Sequence, residues 1–122
     1  MTERPDVLHF LTDELFAELV ANGRAQIDIG AEDTRPVCKL FNPTGGGTWL
    51  LSEIDPDYPT VAFGLCDLDF GSPELGSVDL AELAEYRDKR MGLSIERDLY
   101  FTPEKTLVEY ANDAAGEGRI TA

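Results

Sequence analysis

The middle of this chain lacks basic residues. No Lys or Arg occurs between Lys39 and Arg87, although the whole sequence contains ten. The same stretch carries nine acids, which are Glu53, Asp55, Asp57, Asp67, Asp69, Glu74, Asp79, Glu82 and Glu85. With a net charge of −14, such a block increases solubility, steers the protein toward a basic partner and repels phosphate polymers. The charge therefore opposes direct nucleic-acid binding, because the phosphate contribution would be repulsive.

Long apolar runs are also missing. No apolar run approaches the roughly 20 residues that a membrane-spanning helix needs. Residues 1–6 lack a basic region followed by an apolar stretch, which a secretory signal would have. We therefore expect a cytoplasmic protein without a membrane partner. The two cysteines, Cys38 and Cys66, lie in apolar surroundings and are predicted to be buried thiols on neighbouring strands rather than a disulfide.

Length and composition predict one globular domain over residues 1–122. With 43% hydrophobic residues, a chain of this size can bury most of the surface that its unfolded form exposes. Ten Phe and Tyr residues and Trp49 interrupt the acids, which a disordered acidic tail would not show. We expect an ordered core over about residues 8–111 and a frayed end over residues 112–122.

Hydrophobic periodicity and turn residues predict an α+β fold. A helix is expected from Thr12 to Asn22, ended by Gly23, with later helices after Asp79 and after Thr102-Pro103. The predicted strands are Val37–Phe41, Thr48–Ile54, Thr60–Asp67, Leu75–Val78 and Ile95–Phe101. The second helix should end before Gly92, and the third near Ala111. The result is an antiparallel sheet of three to five strands, covered by two or three amphipathic helices.

The glycine cluster Gly45-Gly46-Gly47 has two interpretations. Successive backbone N–H groups in such a loop can cradle phosphate. A phosphate-binding loop needs Lys and then Ser or Thr after its last glycine, and here Thr48-Trp49 follows. The cluster is therefore predicted to be a hairpin turn between two strands, with at least one glycine at positive φ, and no cofactor is expected.

Sites for metal or catalysis are weakly supported. Asp55-Pro56-Asp57 and Asp67-Leu68-Asp69 each place two carboxylates on one side of an extended backbone, as hard cations prefer. Neither pair completes a known metal loop, so solvated turn acids are expected and no metal is predicted. The single histidine, His9, is expected to be partly buried and satisfied rather than a general base. We predict no catalytic residue.

Four aromatic residues raise the possibility of a stacking platform for bases. These are Trp49, Phe41, Phe63 and Phe101. An aromatic platform that binds nucleic acid is accompanied by basic residues, and the central stretch has none. Packing in the core is therefore the favoured interpretation, followed by an apolar patch that binds protein.

The order of short motifs over residues 11–101 is distinctive. It runs through Leu11-Thr12-Asp13-Glu14-Leu15, Lys39-Leu40-Phe41-Asn42-Pro43, Thr48-Trp49, Phe63-Gly64-Leu65, Glu74-Leu75-Gly76, Gly92-Leu93 and Ile95-Glu96-Arg97-Asp98-Leu99. This order resembles the domain-of-unknown-function family DUF2958. The resemblance implies a small acidic protein of bacterial plasmids, phages or other mobile elements, with no catalytic residues to carry over. Ser77 departs from the family, in which an aromatic residue is common at that position.

These observations favour binding over catalysis. We expect a small acidic protein-binding domain of a mobile element, in one form a counter-defence inhibitor that presents carboxylates to a basic nucleic-acid-binding surface of a host protein. The alternative is a structural or regulatory interaction protein whose acidity serves only solubility, and a metal-assisted enzyme is less favoured. The candidate partner-binding residues are Glu53, Asp55, Asp57, Asp67, Asp69, Glu74, Glu82 and Glu85. Whether these acids converge on one face distinguishes the first two hypotheses.

Overall fold

The computed structural model describes residues 3–29 and 34–122, with only the backbone described for residues 27–29. Its elements are α1 (Asp13–Ile29), β1 (Cys38–Phe41), β2 (Thr48–Ile54), β3 (Val61–Asp67), β4 (Glu74–Asp79), α2 (Leu80–Glu85), β5 (Glu96–Arg97) and α3 (Leu107–Glu117). All five strands belong to one antiparallel sheet in the order β4-β3-β2-β1-β5. The predicted α+β class is therefore confirmed.

Both faces of the central strand β2 are buried. Trp49 and Leu51 pack into the main core with α1 and the segment that precedes it, whereas Leu50 packs with Leu65 of β3 against α3 on the opposite face. A strand that is covered on both faces has a continuous apolar run instead of an alternating one. Such a run, Trp49-Leu50-Leu51, is present in the sequence.

A β-bulge at Ser52 changes which side chains reach each face of β2. The register with β3 shifts between Leu51 and Glu53, so that Leu51 pairs with Gly64 and Glu53 pairs with Phe63. The extra residue directs Ile54 into the main core and Glu53 to the opposite face. The Ser52 hydroxyl donates a hydrogen bond to the Phe63 carbonyl at 3.3 Å. The bulge thus places an acid beside an exposed aromatic residue.

Helix α1 is longer than predicted. Thr12 caps it as expected, since its Oγ1 accepts a hydrogen bond from the Leu15 N–H at 3.1 Å. The prediction that Gly23 ends the helix is wrong, because α1 continues to Ile29. A Cβ at Gly23 would lie 2.0 Å from the Ile54 carbonyl oxygen. Gly23 therefore permits close packing of the helix on β2 and is not a terminator.

The C-terminal part also differs from the prediction. α3 begins at Leu107, because Thr106 and Glu109 form a capping box, and it continues to Glu117 instead of ending near Ala111. Beyond it, the Ile120 N–H donates to Oδ2 of Asp67 at 3.0 Å. The end of the chain is therefore helical from Asn112 to Glu117 and attached to the sheet, where fraying was expected.

Two further elements are shorter than predicted. α2 was expected to continue to just before Gly92, but it ends at Glu85. A turn follows, in which the Gly92 N–H donates to the Asp88 carbonyl. The strand predicted over Ile95–Phe101 is reduced to Glu96–Arg97. Local sequence pattern predicted both elements correctly in type, but their lengths depend on the neighbours that they can reach. Among the strands of residues 3–29 and 34–122, β5 pairs only with the end of β1.

The two cysteines do not lie on neighbouring strands, contrary to the prediction. Cys38 belongs to β1 and Cys66 to β3, and β2 separates these strands. Both are free thiols. Burial raises the pKa of the Cys38 thiol to about 12, and burial also raises the pKa of Cys66. Both thiols therefore stay protonated near neutral pH.

Candidate functional site

The central acids lie at two opposite ends of the sheet. One set, here called the turn group, consists of Glu53, Asp55, Asp57 and Asp79 and surrounds the connection between β2 and β3. The other set, the hairpin group, consists of Asp67, Asp69 and Glu74 and lies at the far end of β3, where Cys66 pairs with Glu74. Six strand steps separate these ends, a distance of about 20 Å. The acids therefore do not converge on a single face.

The turn group is assembled by backbone contacts. The Asp55 N–H donates to the Val61 carbonyl at 2.9 Å, and Val61 pairs with Asp79 of β4. Oδ1 of Asp55 accepts the N–H of Asp57 at 2.9 Å, which holds the tight turn. Oδ1 of Asp79 accepts the Ala81 N–H at 2.9 Å and caps α2. Three strands thus bring acids that are distant in sequence to one end of the sheet.

Glu53 is the most perturbed acid of this set. Its side chain is half-buried, and burial together with the nearby Asp55 carboxylate raises the pKa of Glu53 above its ordinary value of 4.5. Both effects disfavour the charged form. A cationic group placed between the carboxylates of Glu53 and Asp55 would favour the charged form and lower the pKa of Glu53.

The central acids have no cationic partner within the part of the chain that the structure describes. The ion pairs found there join Arg4 to Asp13, Lys39 to Asp98 and Lys105 to Asp113. None of these carboxylates belongs to the stretch from Leu40 to Tyr86. Glu82 and Glu85 lie exposed on α2, next to the turn group in sequence. The turn group and α2 together therefore form an uncompensated negative surface.

The hairpin group serves mainly structure. Asp67 is buried, and its two oxygens accept the N–H groups of Asp69 and Ile120 at 2.9 and 3.0 Å. Asp69 adopts a positive φ of 68° in the loop that leaves β3. Only Asp69 and Glu74 are exposed in this set. Asp67 thus fastens the C-terminal segment to the sheet, a role that its carboxylate spacing did not suggest.

An exposed apolar strip runs beside the turn group. Phe63 and Leu75 are 37% and 42% exposed and share the sheet face that α3 covers only in part. Ser77 pairs with Phe63 and is also exposed. A shallow hollow of about 320 Å³ connects this strip with the acids, and its walls are Gly23, Gln26, Glu53, Asp55, Pro56, Val61, Ala62, Phe63 and Ser77. Sequence analysis missed this surface, because it depends on the strand order and on the bulge.

The other sequence candidates are dispersed. His9 is exposed rather than partly buried, with its ring centroid 4.9 Å from that of Phe10. The four aromatic residues do not form one platform, since Trp49 lies in the main core, Phe101 packs against the α3 core and Phe63 is exposed. Among the described residues, no three His, Cys, Asp or Glu side chains are grouped as metal ligands.

Comparison with known proteins gives one match. A family model described as "Protein of unknown function (DUF2958)" matches residues 10–121, which is nearly the whole chain. The chain belongs to this family. No curated protein and no solved structure matches it. The DUF2958 chain also has, within its described residues, no helix long and apolar enough to cross a membrane.

Glu53→Gln is expected to stabilise this DUF2958 protein at pH 7. Because the pKa of Glu53 is raised in the folded state, the native protein binds more protons than the unfolded chain at pH values just above 4.5. The free energy of unfolding therefore falls as pH rises through that window, and the destabilisation persists at neutral pH. Thermal melts at pH 7 and below pH 4 should show a higher melting temperature for the variant only at pH 7.

Glu117→Gln provides the control for this experiment. It makes the same change in net charge at an exposed position on α3. Its effect on the melting temperature at pH 7 should be smaller than that of Glu53→Gln. Equal effects of the two substitutions would mean that general charge repulsion, and not the environment of Glu53, destabilises the protein.

Proposed function

We propose that this DUF2958 protein is a protein-binding domain that recognises a basic partner through the turn group and the adjoining apolar strip. The observation that supports this proposal is the juxtaposition of unpaired carboxylates with exposed apolar side chains at one end of the sheet. Glu53 and Phe63 are directly paired across β2 and β3. Protein interfaces typically combine an apolar anchor with charges at the rim.

The electrostatics favour a protein partner. Acids without cationic neighbours raise the rate of association with a basic surface, and the attraction weakens as salt is added. Phosphate groups would be repelled by the same field. An apolar anchor of the size of Phe63 supplies affinity that a charged surface alone lacks. Burial of the neighbouring carboxylates in the interface is favourable only when the partner supplies cations that pair with them.

The partner that fits a mobile-element protein is a host protein with a basic nucleic-acid-binding surface. The carboxylates of the turn group would then occupy positions that phosphates occupy in the host complex. The separation of the acids into two groups favours a local contact at one end of the sheet over an extended row of carboxylates that mimics the phosphates of a nucleic-acid duplex. In this counter-defence role, the domain competes with nucleic acid for its partner.

A capture experiment with charge variants tests the proposal. The immobilised domain is incubated with lysate of its source cell at 50 and 300 mM salt, and captured proteins are quantified. The test variant combines Glu53→Gln, Asp57→Asn and Glu82→Gln. We expect a partner whose capture falls strongly with this variant and at the higher salt concentration, and which added DNA releases if the partner binds nucleic acid.

The matched control combines Glu18→Gln, Glu104→Gln and Glu117→Gln. These exposed acids lie outside both the turn group and α2, to which the three acids of the test variant belong, and the net charge changes by the same amount. Capture by this control should remain close to that of the wild type. Equal losses in both variants, or capture that does not respond to salt, would support the hypothesis that the acidity serves only solubility.

A further inference from the structure

Strand β4 has one open edge with outward-facing backbone groups. In the part of the chain that the structure describes, it is the terminal strand of the sheet and pairs with β3 alone. The Leu80 N–H donates to the Thr60 carbonyl at 2.8 Å, which fixes the alternation of hydrogen-bonded pairs along these antiparallel strands. It follows that Gly76 and Val78 bond to β3, whereas the N–H and C=O groups of Leu75 and Ser77 point to the open edge.

Within the described residues, the centre of this edge strand lacks the devices that usually prevent strand pairing. Natural edge strands are protected by central Lys residues, prolines, bulges or a covering loop. The register of β4 with β3 is regular from Glu74 to Asp79, and its four central residues, Leu75 to Val78, carry no charge and include no proline. Leu75 and Ser77 are both exposed. The backbone of β4 is therefore accessible to an additional strand.

The charges at the ends of β4 determine which strand fits. In an antiparallel pair of two β4 strands with Leu75 of each copy bonded to Ser77 of the other, Glu74 would lie opposite Val78 and one position from Asp79 of the other copy, so that the like charges at the strand ends are brought close together and oppose pairing. The net charge of −14 on each copy adds to this repulsion. A strand with a basic residue at each end, five positions apart, would instead pair with both acids in either direction.

We infer that β4 binds an extended segment of the partner protein as a sixth strand, with apolar or small residues at its centre and a basic residue at each end. This inference rests on the proposed function and names the recognition mode and the chemistry of the partner. Backbone hydrogen bonds from Leu75 and Ser77 supply affinity in this mode, and the side chains on alternate positions supply specificity. Residues of the segment that lie on the α3 side of the sheet would contact Leu75 and Phe63.

A peptide experiment tests this inference. The probe is the acetylated and amidated peptide Lys-Val-Thr-Val-Thr-Lys, and the control peptide replaces both Lys residues with Glu. Two-dimensional amide NMR at low salt should show shifts and slowed hydrogen exchange at Leu75 and Ser77 with the Lys peptide only. Ser77→Pro removes an outward N–H without breaking the pairing with β3 and should weaken binding about tenfold. Ser77→Ala keeps that N–H and should bind within about twofold of the wild type.

The outcomes distinguish strand addition from the broader proposal. Strand addition is overturned if the Lys peptide binds in a salt-sensitive way, Ser77→Pro leaves that binding unchanged, and the amides of Leu75 and Ser77 are not protected. The basic-partner proposal would still stand after that result. No binding of the Lys peptide, or equal binding of the Glu peptide, also overturns strand addition, while the lysate experiment still decides the proposed function. Concentration-dependent protection of the two amides without peptide would assign the edge to a second copy of the chain.

Discussion

Gly23→Ala is expected to destabilise the protein by about 3 kcal/mol, which is the upper part of the usual range for overpacking. A Cβ at this position would lie 2.0 Å from the Ile54 carbonyl oxygen and 3.3 Å from Cδ of Pro56. The nearer atom belongs to the backbone of β2, so that either α1 or the strand must move. Helix propensity alone predicts the opposite sign, since Gly→Ala inside a helix stabilises by about 1 kcal/mol. Chemical denaturation of the variant measures the difference in the free energy of unfolding.

Gly116→Ala is the matched control in α3. A Cβ there meets no atom within 4 Å, so that only the gain in helix propensity applies. This variant should be as stable as the wild type or slightly more stable. If Gly23→Ala behaved like Gly116→Ala, the close packing of α1 on β2 would be contradicted.

Gly47→Val is expected to cost about 2 kcal/mol or more. Gly47 has φ of 133°, a conformation that costs other residues on the order of 1–3 kcal/mol. A Cβ at this position would also lie 2.8 Å from the ring of Trp49, which is buried in the main core. Its carbonyl accepts the N–H of Asn42 at 3.0 Å and closes the hairpin between β1 and β2. Thermal melts should show a clear loss of melting temperature that added nucleotide does not restore.

Gly45→Val is the control within the same turn. The nearest atom to a Cβ at Gly45 is Nδ2 of Asn42, at an ordinary contact distance of 3.5 Å, and its φ is not in the positive range. This substitution should change the melting temperature little. Equal tolerance at Gly45 and Gly47 would show that the glycine cluster is a flexible loop, and stabilisation of the wild type by nucleotide would revive the phosphate-loop interpretation.

Local chemistry made much of the fold predictable. The Gly45–Gly47 cluster indicated the hairpin, Thr12 and Asp79 indicated where two helices begin, and β-branched, aromatic and apolar runs indicated β1 to β3. Each of these signals acts over a few residues, through a turn conformation or a capping hydrogen bond. The end of α1 was mispredicted, because a glycine can either end a helix or permit close packing within it, and the local sequence does not distinguish these two roles.

The candidate site was less predictable, since it depends on contacts between segments that are distant in sequence. The acidic residues could be listed from the sequence, but nothing local indicated that Asp67 is buried and holds the N–H of Ile120. The same spacing of two carboxylates occurs at Asp55 and Asp57, but there Asp55 is only half-buried and Asp57 is exposed. Burial and hydrogen bonding, and not spacing, therefore separate a structural acid from a surface acid.

The sequence by itself determined that this protein is an acidic α+β domain with a base-free central stretch, because net charge and hydrophobic periodicity are properties of the chain in any conformation. Only the tertiary structure decided where that charge lies. The antiparallel order of β2, β3 and β4 places the acids at two ends of the sheet, the bulge at Ser52 turns Glu53 toward Phe63, and the terminal position of β4 leaves one edge open. These features arise from strand pairing and from the packing of α1 and α3 on opposite faces, which no local pattern in the chain encodes.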